Sequence, residues 1–167
     1  MNIAIVGATG LVGREIINLC EEFLPKDTIY TLFASSKSAG KKLKVNGKDY
    51  EVKELAEDNI ESYDISLFSA GGERSKNFAE IFTSKGSYVI DNSSAFRMEK
   101  EVPLVVFGIN ENTINEKTKI IANPNCTTMA LVMALKPLHD IFKLVGIVPV
   151  SYQAVSGSGK DAVESLN

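Results

Sequence analysis

Reactive side chains are scarce in this sequence. Its 167 residues include two cysteines, one histidine and no tryptophan. Because the cysteines and the histidine stand at unrelated positions, they form no metal-ligand spacing, and we expect no metal site. The two thiols are far apart and no secretory signal precedes them, which favours reduced cysteines in a cytoplasm.

Long apolar runs and an excess of charge are also lacking. No apolar run approaches the roughly 20 residues of a membrane span, and the opening MNIAIVGATG has no basic signal-peptide region. The net charge of −3 gives no long-range attraction to nucleic acid or to anionic lipid. We therefore expect neither a nucleic-acid partner nor a membrane partner. The hydrophobic content of 44% with 23% charged residues is typical of a globular protein.

Short apolar runs alternate with amphipathic segments, and this alternation predicts the fold. Helices are predicted after the first strand, at 71–86, where Gly86 closes the helix, and at 127–142. A hairpin turned by Asn46-Gly47 is predicted at 41–52. Alternating strands and helices form βαβ units, so we expect an α/β protein with a doubly wound, mostly parallel sheet of the Rossmann type. The predicted strands are 2–6, 28–34, 64–70, 87–91, 118–123 and 144–155.

Three glycines separate the first strand from the first helix. Gly7, Gly10 and Gly13 form the pattern G-x-x-G-x-x-G. Glycines permit a tight turn and let a pyrophosphate approach the backbone, while the helix N-terminus offers free N–H groups. We therefore expect a bound dinucleotide; a strand–helix turn without a nucleotide is the alternative.

The loop after the second predicted strand indicates which dinucleotide is bound. An NAD site holds the ribose with an acidic residue about 20 residues after the glycines, but SSKSAGKK follows this strand and contains none. Ser36, Lys37 and Ser38 offer hydroxyls and a cation suited to a 2′-phosphate, which favours NADP(H). A solvated polar loop is the alternative. FSAGGE at 68–73 is a second loop whose backbone could line the cofactor.

One cysteine lies where a predicted strand passes into a helix. In IIANPNCTT, Cys126 follows Asn125 and precedes two threonines. The helix dipole and nearby donors stabilise a thiolate, which is a good nucleophile toward a carbonyl carbon. A buried, inert thiol is the alternative, and it is what we expect of Cys20 on the apolar stripe of the first helix.

The single histidine is too distant to activate that thiol. His139 follows Cys126 by 13 residues of predicted helix, roughly 20 Å at about 1.5 Å per residue. Proton transfer requires about 3 Å. If Cys126 needs a general base, the sequence supplies none nearby.

Six segments, in order along the chain, resemble one family. They are GATGLVG at 7–13, SAGG at 69–72, VIDNSSAFRM at 89–98, VPLVV at 102–106, IIANPNCTT at 120–128 and SYQAVSGSGK at 151–160. Together they resemble aspartate-semialdehyde dehydrogenase of the bacterial type across the whole sequence. The resemblance implies NADP(H)-dependent interconversion of L-4-aspartyl phosphate and L-aspartate 4-semialdehyde, a step in lysine, threonine and methionine synthesis.

The resemblance also implies roles for single residues. Cys126 would form an acyl-thioester, Arg97 and Asn125 would contact the phosphate, and Gln153 would contact the aspartyl group. The expected cofactor contacts are Gly7, Thr9, Gly10, Leu11, Val12, Gly13, Ser36, Lys37, Ser38, Ser69, Gly71, Ser156 and Gly157.

The resemblance further implies an incomplete chain. Residues 1–125 would form an NADP-binding domain, and residues 126–167 would begin a truncated α+β catalytic and dimerisation domain. The family's catalytic histidine would lie in the absent part, so this chain alone is expected to be inactive. At full length we expect a homodimer or homotetramer.

Two departures from the family pattern and two alternative functions stay open. Lys37 stands where the family often has arginine, and VVFGIN at 105–110 replaces the usual VVPEVN. An enzyme like N-acetyl-glutamyl-phosphate reductase is one alternative, although NPNCTT and DNSSAFRM argue against it. A catalytically dead dinucleotide-binding module is the other, and the missing histidine would suit it.

Overall fold

A single seven-stranded sheet organises the protein, whose computed structural model describes residues 1–165. All neighbouring strands are parallel except the antiparallel pair β3 and β4. The strands are β1 (Asn2–Val6), β2 (Ile29–Ala34), β3 (Lys42–Val45), β4 (Lys48–Glu54), β5 (Ile65–Phe68), β6 (Tyr88–Asp91) and β7 (Ile120–Ala122).

The strand order is β3-β4-β2-β1-β5-β6-β7. The chain therefore builds outward from β1 in one direction and then, from β5 onward, in the other. Ligands of such sheets bind at the carboxyl ends of the strands, where this direction reverses. The helices are α1 (Leu11–Phe23), α2 (Gly72–Ser84), α3 (Cys126–Phe142) and the short α4 (Lys160–Glu164).

Apolar side chains cover both faces of the sheet. Successive residues of a strand point to opposite faces, so Ile5 packs with Ile17 of α1 in one buried cluster. Its neighbour Val6 packs with Phe82 of α2 in a second cluster on the other face. Cys20 belongs to the first cluster, as expected. The predicted Rossmann-like, doubly wound architecture is confirmed.

The turn predicted at Asn46-Gly47 and the helix end predicted at Gly86 are also confirmed. Asn46 and Gly47 both have positive φ, 50° and 75°, and they join Val45 to its paired residue Lys48, as a two-residue hairpin turn requires. Gly86, with φ 99°, follows the end of α2 and donates its N–H to the carbonyl of Thr83 at 3.0 Å.

The VVFGIN segment forms a turn held by an asparagine. Ile109 donates its N–H to Val106 O at 3.1 Å, and Gly108 has φ +80°, a conformation that favours glycine. The side chain of Asn110 accepts from Val106 N at 2.7 Å and donates to Leu104 O at 2.9 Å. This departure from the family pattern therefore has its own local hydrogen-bonding solution.

The prediction of a strand at 144–155 is wrong. After α3, residues 144–154 have no regular secondary structure, and Val155–Ser158 form a 3-10 helix. A strand needs a hydrogen-bonded neighbour, and within residues 1–165 no strand pairs with this segment. Its apolar side chains are exposed: Val145 is 105%, Val148 94% and Tyr152 98% accessible. The segment has the apolar pattern of a strand, but no strand among residues 1–165 pairs with it.

Candidate functional site

The glycine turn places free backbone donors at the carboxyl end of β1. Gly10 donates its N–H to Gly7 O at 3.0 Å, and Arg14 donates to Gly10 O at 3.0 Å, which begins α1. Among residues 1–165, the N–H groups of Leu11 and Val12 donate to no protein acceptor. Such orphan N–H groups at a helix N-terminus bind phosphates.

Two of the glycines are required by close backbone contacts. A Cβ on Gly7, which has φ +90°, would lie 2.2 Å from Ser69 O. A Cβ on Gly13 would lie 2.1 Å from Gly7 O. Gly7 thus lets the β1 turn touch the loop after β5, and Gly13 lets α1 pack directly onto the turn. These contacts fix the backbone of the turn, and the free N–H groups at the start of α1 suit a dinucleotide phosphate.

Cys126 is the first residue of α3 and is exposed. The preceding Asn125 caps the helix: its Oδ1 accepts from Thr127 N at 3.0 Å and from Thr127 Oγ1 at 2.6 Å. The Cys126 Sγ lies 3.9 Å from the same oxygen. Asn-Pro-Asn therefore ends the β7 strand and starts a capped helix with the thiol at its N-terminal end.

Arg97 is held by backbone carbonyls near this thiol. Its Nε donates to Asn123 O at 2.8 Å, and its Nη2 donates to Asn92 O at 3.2 Å and Pro124 O at 3.4 Å. Within residues 1–165 no carboxylate forms an ion pair with it. Nη1 has no protein acceptor in that part of the chain, so the guanidinium has donors to offer an anion.

A buried carboxylate fixes the loop that carries Arg97. Asp91 is fully buried at the end of β6. Its Oδ1 accepts from Ser75 Oγ at 2.6 Å and from Ser93 N at 3.2 Å, and its Oδ2 accepts from Ser93 Oγ at 2.7 Å. Ser93 Oγ in turn accepts from Ala95 N at 3.1 Å. The network links α2 to the 92–97 loop.

One cleft of about 660 Å³, which we call the main cleft, brings most of the predicted residues together. The start of α1, the loop after β5, Arg97 and the start of α3 all line it. Its predicted members are Leu11, Val12, Ser69, Gly71, Arg97, Asn125, Cys126, Ser156 and Gly157. Gln153 borders it, since its side-chain amide nitrogen would lie 2.2 Å from a Cβ on Gly157.

A second cavity of about 260 Å³, the glycine-turn pocket, lies on the other side of Ser69, which lines both. It contains the predicted residues Gly7, Thr9 and Gly10. Ser36, Lys37 and Ser38 form a 3-10 helix one residue after β2, and they line neither cavity. Gly13 also lines neither, because it is buried against the turn.

Sequence reasoning missed several lining residues. Glu15, Asn92, Ser93 and Pro124 line the main cleft, and Ser35 and Arg74 line the glycine-turn pocket. Asn92, Ser93 and Ser35 directly follow the carboxyl ends of β6 and β2, where the rule for parallel sheets locates ligands. Arg74 follows the SAGG loop, but its position in a cavity depends on how α2 starts.

The two thiols differ in environment. Burial raises the pKa of the Cys20 thiol above its ordinary value, because the apolar surroundings disfavour the thiolate. Cys126 is open to the main cleft. His139 lies in the last turn of α3, at the opposite end from Cys126.

In residues 1–165, no group of three or more His, Cys, Asp or Glu side chains could hold a metal ion, and no helix could cross a membrane.

A glycine turn at the topological switch point of a doubly wound sheet defines a dinucleotide-binding domain of the Rossmann type, here with a cysteine beside the nucleotide cleft. Residues 2–117 match the family model described as semialdehyde dehydrogenase, NAD binding domain. The chain belongs to this family, and a nicotinamide dinucleotide is the cofactor that the match supports.

Relatives agree with this assignment. Aspartate-semialdehyde dehydrogenase of Corynebacterium glutamicum is 49% identical over 169 residues, covering 98% of this chain and 49% of the relative. The crystal structure of aspartate semialdehyde dehydrogenase II from Vibrio cholerae has a TM-score of 0.86 at 40% identity, covering 99% of this chain and 50% of that one.

A third relative is described with a cofactor. The Candida albicans aspartate semialdehyde dehydrogenase, crystallised with NADP, has a TM-score of 0.69 at 30% identity and covers 86% of this chain and 48% of that one. The resemblance drawn from the sequence motifs is confirmed. The chain spans about half the length of the curated relatives it matches.

Proposed function

We propose that the full-length protein carrying this chain is an NADP(H)-dependent aspartate-semialdehyde dehydrogenase. It would convert L-4-aspartyl phosphate to L-aspartate 4-semialdehyde and phosphate, and catalyse the reverse reaction. The observation that carries the proposal is the main cleft, where the N-terminus of α1 and the Cys126 thiol line one cavity. The names of the relatives supply the substrate.

Cys126 is the proposed nucleophile. Its thiolate attacks the acyl carbon of aspartyl phosphate, a C–S bond forms, and the C–O bond to phosphate breaks with release of inorganic phosphate. Bound NADPH would supply the hydride that reduces the thioester carbon. Breaking the C–S bond then releases the aldehyde and regenerates the Cys126 thiolate.

Arg97, Asn125 and Gln153 are the proposed substrate contacts. Arg97 retains free donors on Nη1, and its guanidinium is fixed by three carbonyls, so it suits a phosphate of defined position. The Asn125 amide lies next to the thiol. Gln153 borders the cleft on the side of Gly157 and would contact the aspartyl group.

A proton donor and acceptor for this chemistry is proposed to come from outside the described residues. His139 is at the far end of α3, beyond the reach of proton transfer. We therefore propose that residues 126–167 begin a catalytic domain whose remainder supplies the base, while residues 1–125 bind NADP(H). The full-length protein is proposed to act in the cytoplasm as a homodimer or homotetramer, and the isolated chain is proposed to be inactive.

NADP is proposed over NAD because the residues after β2 carry hydroxyls and a cation and no carboxylate. Ser36 and Lys37 are exposed at that point, next to Ser35 of the glycine-turn pocket. The family pattern gives Lys37 and Ser38 to the 2′-phosphate. A lysine is a point charge rather than a planar fork, so we expect Lys37 alone to give only a modest preference.

The nucleophile is tested by Cys126→Ala in the full-length enzyme, with Cys20→Ala as the matched control. Phosphate-dependent reduction of NADP with aspartate semialdehyde should be abolished by the first change and retained by the second. Cofactor binding, measured by NADPH fluorescence, should stay near normal in both. Turnover retained by Cys126→Ala would refute the assignment, and absence of this activity in the unmodified enzyme would refute the proposed function.

A further inference from the structure

One cationic side chain in the nucleotide region has no role so far. Arg74 lies in the first turn of α2 and lines the glycine-turn pocket. Its Nη1 donates to Ala70 O at 3.2 Å, which holds the guanidinium near the loop after β5. Among residues 1–165 it forms no ion pair. The exposed guanidinium is therefore not held by a carboxylate, and Nε and Nη2 keep donors for a ligand.

The other walls of this pocket suit a phosphorylated ribose. Thr9 and Ser35 contribute hydroxyls and Gly10 contributes backbone from the start of α1. No carboxylate lines the pocket, and Arg74 is its one charged side chain among the described residues. A small, open cavity with a single cation and several hydroxyls favours an anion. Its volume of about 260 Å³ leaves room for a sugar phosphate.

The position of the pocket identifies which phosphate it takes. Ser35 directly follows β2, where an acidic residue would hold the ribose 2′-hydroxyl of NAD and where a nearby arginine accommodates the 2′-phosphate of NADP. The pyrophosphate belongs at the N-terminus of α1, on the Leu11 and Val12 side, which lines the main cleft. Arg74 is thus on the adenosine side of the turn.

We propose that Arg74, together with Ser35, binds the 2′-phosphate of NADP(H) and sets the preference for NADP over NAD. The inference rests on the proposed function, because it names a specificity residue of the same cofactor site. A side chain of α2 would then have the role that the sequence pattern predicts for Lys37 in the loop after β2. The planar guanidinium can donate two parallel hydrogen bonds to a phosphate, which the lysine cannot.

The test is titration calorimetry on the full-length protein with two cofactor fragments, 2′,5′-ADP and 5′-AMP, and with NADP and NAD. The variants are Arg74→Ala, Arg74→Lys and Lys37→Ala. Lys76→Ala is the matched control, since Lys76 lies on the same helix but pairs with Glu99 at 3.9 Å and lines a different cavity. Circular dichroism checks that each variant is folded.

Arg74→Ala should weaken the binding of 2′,5′-ADP by about ten- to a hundredfold, the effect of a lost hydrogen bond to a charged group. Its affinity for 5′-AMP should stay within about threefold of that of the unmodified protein. Arg74→Lys should recover only part of the loss, and Lys76→Ala should bind like the unmodified protein. The affinity of Arg74→Ala for 2′,5′-ADP should also depend less steeply on salt.

Three results would overturn the inference while leaving the proposed function intact. Arg74→Ala could bind 2′,5′-ADP with normal affinity. It could also bind both fragments equally more weakly, which would place the guanidinium against the adenine ring instead. Lys37→Ala could lose the preference for NADP over NAD while Arg74→Ala keeps it. That result would assign the 2′-phosphate to the loop after β2. If the unmodified protein binds neither NADP nor NAD, the proposed function itself fails.

Discussion

Alanine substitutions at four glycines separate backbone strain from steric clash in the nucleotide loops. Gly7 has φ +90° and a Cβ there would lie 2.2 Å from Ser69 O, so it combines both effects. Gly13 has an ordinary helical φ but a Cβ 2.1 Å from Gly7 O. Gly71, with φ +88°, has open space around it. Gly10 has an ordinary φ of −74° and only a mildly tight contact, since a Cβ there would lie 3.3 Å from Gly7 O.

The sign of the effect at Gly13 is the decisive quantity. In a helix interior, Gly→Ala alone stabilises by about 1 kcal/mol. The contact at 2.1 Å is with backbone, which cannot rotate away, and overpacking of this kind costs about 1–3 kcal/mol. Because a 2.1 Å approach to backbone is severe, we take the upper part of that range, about 2–3 kcal/mol. We therefore expect Gly13→Ala to lower the free energy of unfolding by about 1–2 kcal/mol despite its better helix propensity.

The other three substitutions set the scale. Gly71→Ala carries only the strain of a glycine-specific conformation, about 1–3 kcal/mol. Gly10→Ala replaces glycine at the N-cap of α1 and should cost about 0.5 kcal/mol. Gly7→Ala combines backbone strain and steric clash and should be the most destabilised, by roughly 2–6 kcal/mol.

Urea unfolding followed by circular dichroism measures these differences as shifts of the midpoint at constant slope. Cofactor titration of the folded variants should show weaker NADP binding for Gly7→Ala, which pushes the turn away from the loop after β5, and for Gly13→Ala, which pushes it away from α1. The reasoning is refuted if Gly13→Ala is as stable as the unmodified protein, or if Gly10→Ala is destabilised as much as Gly7→Ala.

Further predictions concern the carboxylate network, the buried thiol and the aromatic core. Asp91→Asn should destabilise by about 1–3 kcal/mol and raise the KM for phosphate more than it lowers kcat, because Ser93 and the Arg97 loop lose their anchor; equal effects on both would refute this positioning role. The raised pKa of Cys20 means that its contribution to folding is present below the ordinary thiol pKa of about 8.5 and is lost as pH rises through the raised value. The free energy of unfolding should therefore change less between pH 8 and pH 10 in Cys20→Ala than in the unmodified protein, as measured by urea titration at both pH values. Phe82→Ala should cost about 3–5 kcal/mol, measured by the same urea titration, since its ring is fully buried among other aromatic rings; a loss below about 1 kcal/mol would contradict the packing described.

The sequence by itself determined the elements whose signals are local. Alternating apolar runs and amphipathic segments predicted the parallel sheet, because side-chain period follows backbone geometry. Asn46-Gly47 and Gly86 predicted a turn and a helix end, because those conformations need positive φ. The Asn-Pro-Asn-Cys segment predicted a strand that passes into a helix with a thiol at its start. The structure adds the cap that Asn125 forms with Thr127, which needs only neighbouring residues.

Tertiary structure decided what depends on distant partners. The apolar segment 144–155 has the pattern of a strand, but pairing requires a neighbour that its own residues cannot specify. The order of strands brought Leu11, Arg97 and Cys126, far apart in the chain, to one cleft. The start of α2 turned Arg74 toward the glycine-turn pocket, while Lys37, the obvious cation in the sequence, lines neither cavity. Local rules fix which residues bend or cap the chain, whereas the packing of the sheet and helices fixes which of them meet.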